Sequence, residues 1–211
     1  MTGVLAVWNN RTDGNEAEYE AWYQDEHVPQ RLAFAGFRQA RRYEAVAADR
    51  RYFTWYALDD LAVLRHPAYL ACLDDPTPRT RAAMPAFRDM VRAELAMSAS
   101  ADRGVGGFAA CLRMDAGVLD GAAVDRWADV PGVTAVHAWA APPGPAPTMS
   151  SETRFRGAPD ATAAAALVVE CLREEDAARV AAALARAAEG DPAAHVGHYR
   201  LLCCFPGQRD G

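Results

Sequence analysis

The sequence predicts an α+β protein of two tandem ferredoxin-like halves, each βαββαβ, whose antiparallel sheets pack together as an intramolecular α/β barrel. Three observations lead to this prediction. Strand-like and helix-like segments follow the same order twice. A glycine-rich joint, "ADRGVGG", separates the two series. "FAGFRQARRY" in the first series aligns with "VPGVTAVHAW" in the second, which sets Gly36 opposite Gly132. We therefore predict halves at residues 1–100 and 105–207.

The first half begins with a buried strand, and a polar turn follows it and leads into an amphipathic helix. Pro29 predicts that this helix ends near Val28, because proline disfavours the helical conformation in the residue before it. Two strands, an interrupted helical region and a last strand complete the half. The predicted ranges are 4–9 for the first strand, 37–46 and 51–58 for the next two, 60–87 for the helical region and 91–98 for the last strand.

The second half repeats this order with one large difference. Between its second and third strands lies a long loop, residues 142–162, rich in Pro, Ser and Thr. Such a loop is either a tolerated surface insertion or a lid over a pocket, and the sequence leaves both open. The predicted strands are 107–114, 133–141, 164–173 and 196–205, and the predicted helices are 118–129 and 174–188.

The composition excludes several classes of function. The 211 residues are 51% hydrophobic and carry a formal net charge of −6 without a basic block, so we expect no nucleic-acid partner. No apolar run approaches the roughly 20 residues of a membrane span, and the first residues lack a charged leader, so we expect a cytoplasmic protein without membrane contact. Five cysteines without Cys-x-x-Cys spacing indicate reduced thiols and no metal site.

One short segment, "WYQDEHVPQR", concentrates candidate site residues. At about 100° per residue, Trp22, Tyr23 and Glu26 share one helical face, and His27 borders it. A carboxylate among apolar neighbours is either paired or has a raised pKa, and a histidine suits proton transfer near neutral pH. The alternative is structural: His27 caps a carbonyl group, and Glu26 pairs with an arginine such as Arg31.

Strand alternation supplies further candidates for the lining of a pocket between the two sheets. Aromatic residues at strand spacing are also typical of a plain core, so both interpretations stay open. Arg41 and Arg42 lie on opposite faces of their strand, and one of them is a candidate to bind an anionic substrate. The candidate substrate-binding residues on strands are Arg41, Arg42, Tyr43, Trp55, His137 and Trp139.

The segment "WYQDEHVPQRLAFAGFRQARRY" resembles the Trp-Tyr-x-x-Glu-His-x-Pro signature, with its later Gly-Phe and Arg-Tyr, of the dimeric α/β-barrel superfamily near its EthD-like branch. The stretch "YLACLDDPTPRTRAAMPAFRDMVR" is similar to the downstream part of tandem EthD-like proteins. The resemblance implies paired ferredoxin-like units that bind a small aromatic, polyketide-like or quinone-like molecule in a cleft. The second half lacks the Glu-His-x-Pro element, which argues against a second equivalent site.

The functional expectation is a small-molecule enzyme that uses no cofactor. His27 is the expected catalytic acid or base, Glu26 orients it, and Tyr23 or an arginine holds the substrate. The reaction is a cyclisation, decarboxylation, isomerisation or oxygenation. One alternative is a non-catalytic binding or structural protein, and a weaker one is a haem protein, suggested only by haem-binding relatives. The oligomeric expectation is a monomer or a homodimer.

Overall fold

Eight antiparallel strands close into a barrel in the computed structural model, which describes residues 2–12, 14–119, 121–143, 151–157 and 159–207. The strands follow one another around the barrel in the order β1-β3-β2-β8-β5-β7-β6-β4. This arrangement confirms the predicted α+β class and the closed barrel. The strands are β1 Gly3–Arg11, β2 Phe37–Ala47, β3 Tyr52–Leu58, β4 Phe87–Asp102, β5 Phe108–Met114, β6 Val133–Ala140, β7 Ala165–Cys171 and β8 Ala194–Pro206.

The first four strands and the last four have the same internal order around the barrel. The first four are ordered β4-β1-β3-β2, and the last four are ordered β8-β5-β7-β6. Two antiparallel ladders, β2 with β8 and β4 with β6, join the sets and remove the sheet edges. β4 is longer than predicted because its far end, Ala96 to Asp102, pairs with β6.

Helices cover the outside of the barrel. The helices near β1 to β4 are short and broken by prolines, whereas α7 in the second half runs without interruption over fourteen residues. None of the described helices is long and apolar enough to cross a membrane. The helices are α1 Glu16–Trp22, α2 Val28–Leu32, α3 Pro67–Asp74, α4 Pro78–Ala83, α5 Gly121–Ala128, α6 Ser151–Arg156 and α7 Glu174–Ala187.

Buried side chains form three clusters, because each sheet face needs an apolar cover. The barrel interior is rich in aromatic residues, among them Trp8, Phe53 and Trp55. The space between the first four strands and their helices is also aromatic. The matching space in the second half is filled by smaller aliphatic residues such as Val136, Leu167 and Val180.

The prediction that Pro29 ends the first helix is wrong. A π-helical turn, Tyr23–His27, follows α1 directly and leads into α2, in which Pro29 occupies the first turn. The backbone of Val28 remains helical, and its N–H donates to the carbonyl of Tyr23. The wider π turn explains this continuity, because it relieves the clash that a proline ring makes with the preceding helical turn.

The long loop between β6 and β7 contains a helix that the sequence did not predict. Within the described residues, α6 packs against α3 and against the 3-10 turn Met84–Ala86 of the first half. After it, Ala161 exchanges backbone hydrogen bonds with β4: its N–H donates to Met90 at 2.9 Å, and its carbonyl accepts from Arg92 at 2.9 Å. Residues 144–150 and 158 of this loop lie outside the described residues.

Candidate active site

A cleft lies on the outer face of the first four strands, under the helices. It encloses about 560 Å³ free of protein atoms, part of it open to solvent, and water reaches only a small part of this space. The sheet contributes Leu5, Val7, Tyr56, Phe87, Met90 and Arg92, and the remaining lining residues are Tyr23, His27, Arg31, Tyr69, Leu73, Met84 and Arg156.

The π-helical turn places His27 in this cleft. The imidazole packs against the ring of Trp22 at 4.5 Å and against that of Tyr23 at 5.1 Å between centroids. Both aromatic rings are almost fully buried and therefore fix the histidine from two sides. π-helical turns occur often at functional sites, because they turn side chains that a regular helix would not bring together.

The cleft carries positive charge in a chain that is negatively charged overall. Arg31, Arg92 and Arg156 line it, and no carboxylate does so among the described residues. Glu94 accepts a 2.8 Å hydrogen bond from Arg92, and Asp160 accepts two hydrogen bonds from Arg156, but neither acid lines the cleft. The site therefore favours a ligand that is, or becomes, an anion.

The electrostatic surroundings keep His27 neutral. Burial and the nearby guanidinium groups, Arg31 foremost and then Arg42 and Arg156, lower the pKa of His27 well below its usual value. The buried Nδ1 atom has no hydrogen-bond partner within the described part of the chain. A neutral imidazole with an unpaired nitrogen at a cationic cleft is suited to take a proton from a ligand.

This lowered pKa predicts a dependence of stability on pH. Because the folded-state pKa lies below the unfolded-state value of about 6.5, the unfolded chain binds the proton first, and acidification favours unfolding. His27→Gln should flatten the fall in unfolding free energy between about pH 7.5 and about pH 5.5, by roughly 1.4 kcal/mol. Urea unfolding at the two pH values measures it.

The control for that experiment is His198→Gln, which removes a half-exposed imidazole on β8 that does not line the cleft. If His198→Gln leaves the pH dependence of the unfolding free energy unchanged, the effect of His27→Gln comes from the buried position of His27 and not from the loss of one histidine. Identical pH slopes in wild type and His27→Gln would show that the site does not disfavour the imidazolium.

Glu26 contacts different groups from those that the sequence predicts. Its carboxylate accepts a hydrogen bond from the Thr77 hydroxyl and another, at 3.1 Å, from Thr80 on α4. Thr80 Oγ1 also accepts a hydrogen bond from Trp22 Nε1 at 3.1 Å. Glu26 does not line the cleft. Its carboxylate thus ties the π turn to α4, and any influence on His27 passes through Trp22.

Arg42 lies beside the cleft without lining it. Its guanidinium pairs with Glu20 and packs over the rings of Tyr23 and Tyr52, at 4.2 Å and 5.1 Å. This arrangement buries a charge by pairing it and by stacking it on aromatic faces. Arg42 therefore supports Tyr23 and adds positive potential at His27.

The other five predicted lining residues lie inside the barrel, between the two sets of strands, whereas His27 lies in the outer cleft. The ion pair of Arg41 with Glu170 holds the group together, and Glu170 also accepts a 2.9 Å hydrogen bond from the backbone N–H of Gly106. His137 Nε2 lies 3.5 Å from Glu170 Oε1. The five residues are Arg41, Tyr43, Trp55, His137 and Trp139, all at most 3% exposed.

The sequence did not identify Glu170 in the barrel or Arg92 and Arg156 in the cleft, and the reasons differ. Glu170 carried a usable signal, since a lone carboxylate inside the apolar run "AALVVEC" must be paired when it is buried. Arg92 carried no such signal, because alternation along β4 does not tell which face of the strand the helices cover. Arg156 carried none either, because it lies on α6, which the sequence did not predict. Among the described residues, no three His, Cys, Asp or Glu side chains converge as metal ligands.

Comparison with known proteins supports the fold and leaves the reaction open. No family model and no curated protein matches the chain. An anthrone oxidase-like protein matches at 10% identity and a TM-score of 0.59, over 99% of this chain and 94% of that one. A "putative monooxygenase" from Fusobacterium nucleatum matches at 11% identity and a TM-score of 0.59, over 100% and 97%. A "putative monooxygenase" from Lactobacillus acidophilus matches at 8% and 0.53, over 98% and 97%.

The chain therefore shares the overall fold of these structures, and one polypeptide supplies all eight strands of the barrel. At identities near 10% the likeness defines the fold alone, because one fold can carry many functions.

Proposed function

We propose that this chain is a small-molecule enzyme that removes a proton from an aromatic or polyketide-like substrate in the outer cleft, with His27 as the base. The observation that carries the proposal is the neutral, half-buried His27 among three arginines that line the cleft. Proton transfer to the imidazole leaves the substrate as a phenolate, enolate or carbanion. Arg31 and Arg92 stabilise that charge, and the imidazolium gains a counter-ion.

Such an anion is a common starting point for the reactions that the sequence suggested. Ring closure and isomerisation proceed from it directly, and an electron-rich anion can also react with oxygen. In a decarboxylation His27 takes the proton of the substrate's carboxyl group, the carbon–carbon bond breaks to release CO2, and the imidazolium returns the proton to the carbanion that remains. The anthrone oxidase-like and monooxygenase descriptions of the structural neighbours favour oxygenation among these. We propose that the reaction proceeds without a cofactor.

We further propose that the chain belongs to the EthD-like branch and arose by tandem duplication of a ferredoxin-like unit. The repeated strand order of the two sets and the Glu-His-x-Pro element of the first set support this. The aliphatic filling of the matching space in the second half favours a single site. Duplication would also explain a complete barrel in one chain, although its outer faces leave a homodimer open.

The cleft does not fit a haem group. Water reaches only a small part of it, and a macrocycle would require the helices to move away from the sheet. A single aromatic ring needs much less, and the unbranched side chains of Met84 and Met90 at its wall can change rotamer to make room.

A phenol that changes colour on ionisation tests the proposal without knowledge of the substrate. Bound 4-nitrophenol should have a lower apparent pKa than in solution, because Arg31 and Arg92 favour the phenolate. Arg92→Met should raise that pKa by about one unit, corresponding to one lost charge-assisted contact. Absorbance titration of the bound probe measures it.

The matched control is Arg88→Met, an exposed arginine on the same strand that does not line the cleft. Equal probe pKa values in the Arg92 and Arg88 variants would contradict a cationic site for substrate anions.

A non-catalytic binding protein is the second candidate, and one observation favours it. Glu26 accepts hydrogen bonds from Thr77 and Thr80 and does not line the cleft, so the acid that would orient a catalytic base is committed elsewhere. In that case the cleft binds the phenol as described, but no bound compound is converted, and loss of His27 alters affinity alone.

A further inference from the structure

The segment after β6 belongs to the second half in sequence but forms one wall of the first-half cleft. Arg156, the last residue of α6, lines the cleft together with His27. The backbone hydrogen bonds between Ala161 and β4 join this segment to the strand that carries Met90 and Arg92, both lining residues. The described part of the insertion is therefore built into the cleft.

The guanidinium of Arg156 is fixed on one side and has a weakly engaged donor on the other. Its Nε and Nη2 atoms donate to the two carboxylate oxygens of Asp160 at 3.2 Å and 2.6 Å. Nη2 also donates to Thr153 Oγ1 at 2.9 Å. Among the described residues, Nη1 donates to the sulfur of Met84 at 3.7 Å, a poor acceptor.

We propose that Arg156 determines substrate specificity, by selecting substrates that carry a carboxylate in addition to the acidic group that His27 deprotonates. This inference rests on the proposed function. The side chain of Arg156 is 7% exposed, so its charge lies where water screens it little. A ligand carboxylate would replace the Met84 sulfur as the acceptor for Nη1, and Asp160 would hold the guanidinium in place.

The surface of the cleft is suited to an acidic ligand. Three arginines line it and no carboxylate does so among the described residues, since the carboxylates that pair with Arg92 and Arg156 stand behind them. A substrate with one neutral end would leave the Nη1 donor with only a sulfur for a partner.

The test compares two ligands of nearly equal shape, 4-hydroxybenzoate and 4-hydroxybenzamide, by calorimetric titration of the full-length chain. Wild type should bind the acid at least about tenfold more tightly than the amide, the amount that one charge-assisted hydrogen bond supplies. Arg156→Gln should reduce this ratio to near one while the affinity for the amide stays about the same.

Two further variants test whether the preference for the acid depends on the position of the arginine and on its support by Asp160. Arg154→Gln changes an exposed arginine of the same helix and should leave the ratio as in wild type. Asp160→Asn weakens the support of Arg156 and should lower the ratio partly. Circular dichroism melting of each variant verifies folding, and Arg156→Lys, which keeps the charge, should retain part of the preference if Arg156→Gln does not fold.

The outcomes separate this proposal from the proposed function, because equilibrium binding requires no turnover. A preference that persists in Arg156→Gln overturns the role of Arg156, and so does wild type that binds the acid no more tightly than the amide. A preference that depends on Arg156 supports it, even if His27 variants show that the cleft only binds.

Discussion

Replacing Glu170 by alanine is expected to lower the free energy of unfolding by about 3–5 kcal/mol, the cost of breaking a buried ion pair by removing one partner. Glu170 is fully buried, and its loss would leave the guanidinium of Arg41 and the N–H of Gly106 without their acceptor inside the barrel. Since Arg41 lies on β2 and Glu170 on β7, the pair also joins the two sets of strands. Urea unfolding followed by tryptophan fluorescence measures the change.

Two controls define what that loss means. Glu18→Ala breaks a solvent-exposed pair with Arg79 and should cost at most about 1 kcal/mol. The double variant Arg41→Met with Glu170→Met should be more stable than Glu170→Ala, because apolar residues of similar size avoid an unpaired buried charge. If Glu170→Ala costs no more than Glu18→Ala, the barrel interior is wetter than the packing indicates.

Replacing His27 by alanine is expected to reduce turnover by about 10²- to 10⁴-fold, the usual contribution of a positioned acid or base. The thermal midpoint should stay the same or rise, because removal of a buried, unpaired polar nitrogen relieves a cost of folding. The assay follows the absorbance and oxygen uptake of hydroxylated aromatic compounds. His27→Gln, closer in polarity, should be equally inactive.

Opposite results would assign His27 to the framework. A midpoint several degrees lower together with normal turnover would mean that the imidazole only fills the space between Trp22 and Tyr23. The matched replacement His198→Ala should change neither quantity, since it lies outside the cleft.

Much of the fold follows from local patterns in the sequence. Alternation and helical periodicity place all eight strands and the long helix α7 to within a few residues, since these patterns reflect one buried and one exposed face. Pro29 misled the prediction because propensity describes a regular α-helix, and the chain instead forms a π turn there. Helix α6 was missed because its segment shows no clear apolar period.

The candidate site, too, was predictable from the sequence only in part. The sequence by itself determined that Tyr23 and His27 lie one turn apart on one helix, whereas the π turn, which it did not indicate, sets His27 against Trp22. Only the tertiary structure decided that Arg41, Tyr43, Trp55, His137 and Trp139 lie inside the barrel and away from His27, and that Arg92 and Arg156 take their place in the cleft. The physical reason is that local periodicity tells which residues share a face, whereas the partner of each face depends on how distant strands and helices pack.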